Sequence, residues 1–413
     1  MADTERYELL VGIDWGSASH QITVVDPDGG RRLSEGTVPH SGDGLAHLVA
    51  ELVGRVTEPA RIAVALEVPR GPLVDALLER GCHVYALNPK QLDRFRDRHT
   101  VAGAKDDRRD AYVLADALRT DRPAFRRLAP EDPQVIQLRE WTRLYDETVE
   151  EQGRLANRLR EQLWRYFPQL LTLCPAADEP WLWSLLEEAP TPAAAKAWRP
   201  NALRALLGRH HIRRITGNAL HAALQAATLP TTPAAAAAAR EHVAMLVPRL
   251  RLALDQRRQC ERRMDELLAA LTVPPDGKRS EHRDVTILRS LPGVGRVVAA
   301  TMLAEASCLL AARDYQRLRI HGGVAPVTKQ SGKSRLVVMR RACNGRLRTV
   351  LFNWARNSIR LDVACRAHYD RLRQRHGHAR ALRGVADRLL RTLTAMLTAG
   401  QLYDPARASA RAA

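Results

Sequence analysis

The chain has 413 residues and a formal charge of +18, from 64 Lys and Arg against 46 Asp and Glu. That length supports two or three domains with sizeable cores. Its six cysteines (Cys82, Cys174, Cys260, Cys308, Cys343, Cys365) form no Cys-x-x-Cys pair, which speaks against a zinc ribbon or a disulfide framework. There is no apolar signal core at the N-terminus and no run of about 18 uncharged apolar residues. The expectation is a soluble cytoplasmic protein without a membrane partner.

The positive charge is unevenly placed. From residue 281 to the end there are 25 Lys and Arg against 8 Asp and Glu, so nearly the whole surplus lies in the last third. A polyanion partner is implied, and nucleic acid is the commonest one. A GC-biased, arginine-rich proteome accounts for the abundance of arginine but not for its placement.

Residues 8–120 read as α/β. An apolar run over 9–14 ends in Asp14, as a buried central strand would. Residues 20–26 alternate, Pro27-Asp28-Gly29-Gly30 makes a turn, and 31–38 returns as the partner strand. Helical spacing follows over 45–53, a second buried strand over 61–67 ending in Glu67, a helix through Leu73, Leu77 and Leu78 that stops at Gly81, and a strand over 82–87. Hairpin strands followed by strand–helix units predict a mixed sheet covered by helices.

Beyond residue 130 the strand signals fade. Leu138, Trp141, Tyr145, Thr148, Leu155, Leu159 and Leu163 keep three- and four-residue steps, as do Val243, Leu246, Leu250, Leu254, Met264, Leu267 and Leu271. Two long amphipathic helices are predicted, able to pair as an antiparallel coiled coil within one chain or between chains. Between them lies a Trp-rich then Ala/Pro-rich stretch, about 172–240, that reads as a small helical insert or a partly flexible one. Residues 272–280 look like a linker, and the remainder is mainly helical. The expected domains are 1–125, 130–272 and 281–405.

Four carboxylates carry the chemistry. Asp14 and Glu67 each close a strand, and Asp107 and Asp110 are spaced i, i+3, which puts both on one helix face. Magnesium takes hard oxygen ligands and shares its shell with water and phosphate, and a pair of such ions can assist both oxygens of a phosphoryl transfer. Taken singly each acid is more often a helix cap or a solvated charge, and Asp106 competes with Asp107 for its place.

Far downstream, Lys329-Gln330-Ser331-Gly332-Lys333 and Arg335 break the helical pattern. Ser331, with Ser334 as a second candidate, can serve as a nucleophile if a base or metal activates it and cations surround the phosphate. A basic loop that only clamps phosphates accounts for the same residues. Pro292-Gly293-Val294-Gly295 resembles a helix-hairpin-helix turn, whose backbone N–H groups at Gly293 and Gly295 can hold a DNA phosphate; a plain tight turn explains it nearly as well.

These motifs together resemble the DEDD transposases of the insertion-sequence-110 family, relatives of the Piv-type DNA invertases. The matching residues are Val11-Gly12-Ile13-Asp14, the strand ending in Glu67, Asn88-Pro89, and Lys105-Asp106-Asp107-Arg108-Arg109-Asp110-Ala111. In the C-terminal part they are Leu291-Pro292-Gly293-Val294-Gly295, Gly322-Gly323-Val324-Ala325-Pro326, Gln330-Ser331-Gly332-Lys333 and Asn344-Gly345-Arg346-Leu347-Arg348. The resemblance implies an α/β RuvC-like (ribonuclease-H fold) N-terminal domain, a helical coiled-coil connector and a mainly α C-terminal transposase domain. It further implies Mg2+ on Asp14, Glu67, Asp107 and Asp110, and a covalent phosphoserine at Ser331. Element-end and target DNA, a structured bridge RNA and a dimer or tetramer are the implied partners. Two departures stand out: Lys105-Asp106-Asp107 replaces the usual Lys-Thr-Asp, and Val68-Pro69-Arg70-Gly71 follows Glu67.

Three other readings compete. The acids alone suit a Holliday-junction-resolvase-like nuclease that needs no serine. Gly12-Ile13-Asp14-Trp15-Gly16-Ser17 looks like the first phosphate loop of actin-like kinases, although no second phosphate loop follows. A non-catalytic nucleic-acid binder would make the acids structural.

Overall fold

In the computed structural model, residues 6–99, 106–128, 132–272, 283–332 and 334–406 are described. They form two compact units, Met1–Glu131 and Asp132–Ala413. The sequence-predicted linker, the Lys105 position and Lys333 lie outside the described residues.

In the first unit, strands β1 (Leu9–Asp14), β2 (Ser19–Val25) and β3 (Arg32–Pro39) precede helix α1 (Gly42–Val53). Strand β4 (Ile62–Leu66), helix α2 (Pro72–Glu79), strand β5 (His83–Ala86), helix α3 (Pro89–His99), helix α4 (Asp107–Asp121) and the short β6 (Arg126–Arg127) complete it. The sheet order is β3-β2-β1-β4-β5-β6. The β1–β2 and β2–β3 pairs are antiparallel, β1–β4 and β4–β5 are parallel, and β6 returns antiparallel. Strand β4 is buried throughout and β1 up to Asp14, which is why both read as continuous apolar runs.

The two faces of the sheet differ. Leu9, Val11, Ile13, Val64 and Leu66 pack with Leu48 and Leu52 of α1 and Leu73 and Leu77 of α2. On the other face Leu10, Ala63, Ala65 and Tyr85 pack with Leu92 of α3 and Val113, Leu114 and Leu118 of α4. This face is lined by small residues where α4 crosses β1. A Cβ on Gly12 would lie 1.9 Å from the Ala111 carbonyl oxygen and 2.6 Å from the Ala115 nitrogen, so helix backbone rests directly on strand backbone.

In the second unit, helices α5 (Pro133–Tyr166) and α10 (Pro233–Ala270) run 34 and 38 residues. Val135 and Leu138 of α5 share a core with Met264 and Leu267 of α10, while Leu155, Leu159 and Leu163 pack with Val243, Leu246 and Leu250. The two helices are therefore antiparallel within one chain. Between them stand α6 (Pro180–Glu188), α7 (Pro192–Lys196), α8 (Pro200–Arg209) and α9 (Gly217–Gln225). The Ala/Pro-rich stretch is thus an ordered four-helix insert, with Trp181 and Trp183 fully buried and each proline of the first three helices opening its helix. The alanine run from Ala234 forms the first turns of α10, capped by Thr232.

The C-terminal part holds α11 (Asp284–Ser290), α12 (Arg296–Ala311), α13 (Tyr315–His321), strands β7 (Val327–Ser331) and β8 (Ser334–Val338), and α14 (Gly345–Leu361), α15 (Val363–Arg373) and α16 (His378–Ala399). Its core is continuous with the adjoining ends of α5 and α10 and centres on fully buried Trp354, whose indole N–H donates to the Pro292 carbonyl at 2.9 Å. Among the described residues no helix is long and apolar enough to cross a membrane.

The contact at Gly12 gives a first prediction. Gly12→Ala forces α4 off the sheet and is expected to cost about 1–3 kcal/mol, the usual range for overpacking, measured by urea unfolding. Unchanged stability would mean that the close approach carries no weight.

Candidate active site

Asp14 is the last residue of β1, and Glu67 follows β4 directly. Ile13 pairs with Leu66 in the parallel register, so the next residues, Asp14 and Glu67, leave adjacent strands side by side. Neighbouring strands lie about 4.8 Å apart. Both carboxylates stand half-buried at the strand ends, and each has partners of its own in the structure.

Helix α4 brings the remaining acids. Asp106 is its N-cap, its carboxylate accepting from the Arg108 N–H at 3.2 Å. Asp106 thus caps the helix, Asp107 begins it, and Asp110 lies one turn in, beside Ala111 and the Gly12 contact. Asp107 is exposed, whereas Asp110 is 1% exposed.

Asp110 is held by Arg96 of α3. The guanidinium Nε donates to Oδ1, and Nη2 donates to Oδ2 at 2.6 Å. The remaining nitrogen, Nη1, donates to Asp93 at 2.6 Å. The Asp110 hydrogen bond, with the charges of Asp110, Asp93 and Glu67, pushes the Arg96 pKa up against its partial burial. Glu67 and Asp110 therefore act on the same cation. Among the described residues, no three of the four acids bring ligand oxygens within 4.8 Å of one another.

All four acids offer hard oxygen donors, which suit a divalent cation of the magnesium type. Cys174, Asp178 and Glu179 do converge within 4.8 Å, but they fit one poorly. Burial pushes the Cys174 thiol up to about 11, and Glu179 is taken by Arg214 and by the Trp181 indole at 2.8 Å.

Sequence reasoning missed two neighbours of the acids. Arg96 is one. The other is an aromatic group beside Asp14, with exposed Trp15 over His20 and His40, whose ring nitrogens meet at 2.9 Å. Burial, then the nearby His40, holds the His20 pKa down. The sequence signal for this group is faint, two histidines twenty residues apart on paired strands.

Ser331 belongs to the second unit, and its surroundings are a β-hairpin rather than the irregular loop expected. Ser331 pairs with Ser334, and Gly332 beside it has φ +54°. Ser331, Lys329 and Arg335 are all exposed; Lys333 is not among the described residues. Of the glycine turn, Gly293 (φ +78°) faces α14, where a Cβ would meet the Ser358 nitrogen at 2.7 Å, and Gly295 is exposed at the start of α12.

Two family models match the chain, one described as a DEDD-type IS110 transposase domain over residues 11–168, the other as the IS116/IS110/IS902 transposase family over residues 285–370. A mini-circle protein described as the transposase for IS117 of Streptomyces coelicolor is 33% identical, covering 97% of both chains. The chain belongs to the IS110/IS116/IS902 transposase family. Its members are enzymes that cut and recombine DNA. A Sinorhizobium fredii protein described as transposase y4uE is 50% identical over 213 residues, which span 51% of this chain and 59% of that relative. The insertion element IS116 protein of Streptomyces clavuligerus is 30% identical, covering 98% of each. Among solved structures, RuvC of T. thermophilus with a Holliday-junction substrate aligns over 30% of this chain and all of its own, with 19% identity and a TM-score of 0.23.

In this family member the hairpin has a defined base. Helix α12 kinks at Ala306 (φ −136°, ψ 17°), and the freed Ala304 carbonyl accepts from the Arg139 guanidinium at 2.9 and 2.7 Å. The Glu305 carbonyl lies 3.2 Å from His321 Nε2, and its carboxylate accepts from the Asn344 amide at 2.7 Å. His321 ends the helix before the hairpin and Asn344 caps the helix after it; the Asn344 N–H donates to the His321 carbonyl at 2.8 Å. Glu305, with Arg346 at 3.4 Å, thus ties both feet of the segment that presents Ser331. Glu305→Ala leaves the Arg346 guanidinium with Asp146 alone, at 3.0 Å, and frees Asn344. The expected loss is about 3 kcal/mol in denaturant unfolding, with Glu305→Gln milder because it can still accept from Asn344.

Proposed function

We propose that this chain is a magnesium-dependent serine recombinase that cleaves and exchanges DNA strands for an insertion sequence. The observation that carries the reading is the placement of Asp14 and Glu67 at adjacent, in-register strand ends, with Asp110 sharing the Arg96 cation with Glu67. The sheet order, three antiparallel strands followed by two parallel ones, suits a RuvC-like, ribonuclease-H fold.

In this proposal Asp14, Glu67, Asp107 and Asp110 hold the divalent ions. Magnesium bound there would neutralise charge on the phosphate oxygens and assist departure of the leaving oxygen. Ser331 Oγ forms a new bond to phosphorus as a backbone P–O bond breaks; the serine gives up its proton and the leaving oxygen takes one up. Lys329 and Arg335, exposed beside it, hold the phosphate. Lys333 belongs to the same proposed group. Gly295 at the start of α12 is proposed as a further phosphate contact, with Gly293 shaping that turn.

Element ends and target DNA are the proposed substrates, with a structured bridge RNA selecting them; the basic last third supports both as polyanions. The α5/α10 pair is proposed as the coiled coil of a homodimer or tetramer, supported by exposed Leu144 and Val149 on one helix and Met245 and Leu252 on the other.

Incubation with element-end DNA, the element's transcript and magnesium should trap a protein–DNA adduct in wild type that both Ser331→Ala and Asp14→Ala abolish. Cleavage that survives Ser331→Ala without an adduct, but not Asp14→Ala, would point to a resolvase-like nuclease. Nucleic-acid affinity should also fall with salt on a log–log slope of about −0.9 per phosphate neutralised, read by fluorescence anisotropy; a flat response would remove the basic surface from the account.

A further inference from the structure

We propose that Arg96 is a built-in counter-cation that occupies the metal's place in the carboxylate cluster and must release Asp110 before a divalent ion can bind. The inference rests on the metal-site reading above and deepens it.

The geometry is that of competition for the same oxygens. Both Asp110 carboxylate oxygens accept from one guanidinium, through Nε and Nη2. Asp110 is 1% exposed, so water does not supply the alternative, and a carboxylate left uncompensated in that setting is costly. A divalent ion bound at the same time would stand beside a positive guanidinium in a poorly screened pocket.

Among the described residues no three of the acids meet within 4.8 Å, and two of them, Asp110 and Glu67, act on the Arg96 guanidinium. Arg96 also has somewhere to go. Its Nη1 already donates to Asp93, one turn earlier on α3, whose side chain is 63% exposed. Rotation about the arginine side chain can keep that contact while releasing Asp110. The site is thereby kept neutralised until a doubly charged ion, carried in with phosphate, outcompetes a singly charged one.

The test is Mn2+ binding to the full chain without nucleic acid, followed by electron paramagnetic resonance of free Mn2+. Arg96→Gln removes the competitor and should bind Mn2+ at least tenfold tighter than wild type, with Asp14→Asn removing that binding in either background. Should Arg96→Gln fail to fold, Arg96→Lys keeps the charge but loses the fork, and should bind severalfold tighter. Equal or weaker affinity in the folded variant, with wild-type binding still lost in Asp14→Asn, would overturn the proposal and leave the metal site standing. Mn2+ binding indifferent to Asp14→Asn in every background would overturn the metal site itself, and the proposal with it.

Discussion

At Gly12 helix α4 lies on strand β1 with no side chain between them, and the placement of the acids depends on that contact. Gly12 leaves room for the Ala111 and Ala115 backbone, and Ala63 and Ala65 keep the neighbouring strand low. A larger residue at position 12 would lift the helix by ångströms, and Asp107 and Asp110 ride on its first turns. Asp106 fixes where those turns begin by capping the helix with its own carboxylate. The sheet supplies Asp14 and Glu67 through register, the helix supplies Asp110 through close packing, and neither alone makes a site.

Bringing acids together creates an electrostatic demand. Buried carboxylates are stable only when paired, and for Asp110 the pairing falls to Arg96. The serine faces the opposite problem. A two-stranded hairpin is marginal by itself, and β7–β8 is exposed along most of its length. Its order comes from below, where the kink of α12 offers Glu305 to both flanking helices. In the proposed reading the metal-binding acids sit on the sheet and on α4, and the nucleophile on an exposed ribbon, as suits chemistry on a large polymer that must be admitted and released.

The sheet was legible in the sequence because burial writes a simple code. Doubly buried β1 and β4 appear as apolar runs, α4 shows an i, i+3 acid pair before an apolar face, and the two long helices keep their period. What was not legible depended on tertiary context. Nothing local ties Arg96 to Asp110 across a turn of chain, and the hairpin strands, solvated on both faces, carry no alternation of apolar and polar residues. Gly332 beside Ser331, between short runs that pair as strands, was the available hint. The Ala/Pro-rich segment looked weakly ordered because alanine and proline are common in linkers; here the prolines open helices around Trp181 and Trp183.

Asp14, Glu67, Asp107 and Asp110 are proposed to form one divalent-metal site. Anomalous diffraction from crystals grown with Mn2+ and element-end DNA tests it most directly. The account predicts an anomalous peak within coordination distance of Asp14 and Glu67, with Asp110 turned from Arg96 toward it. A site with no peak there, or a peak at Cys174, Asp178 and Glu179 instead, would contradict it.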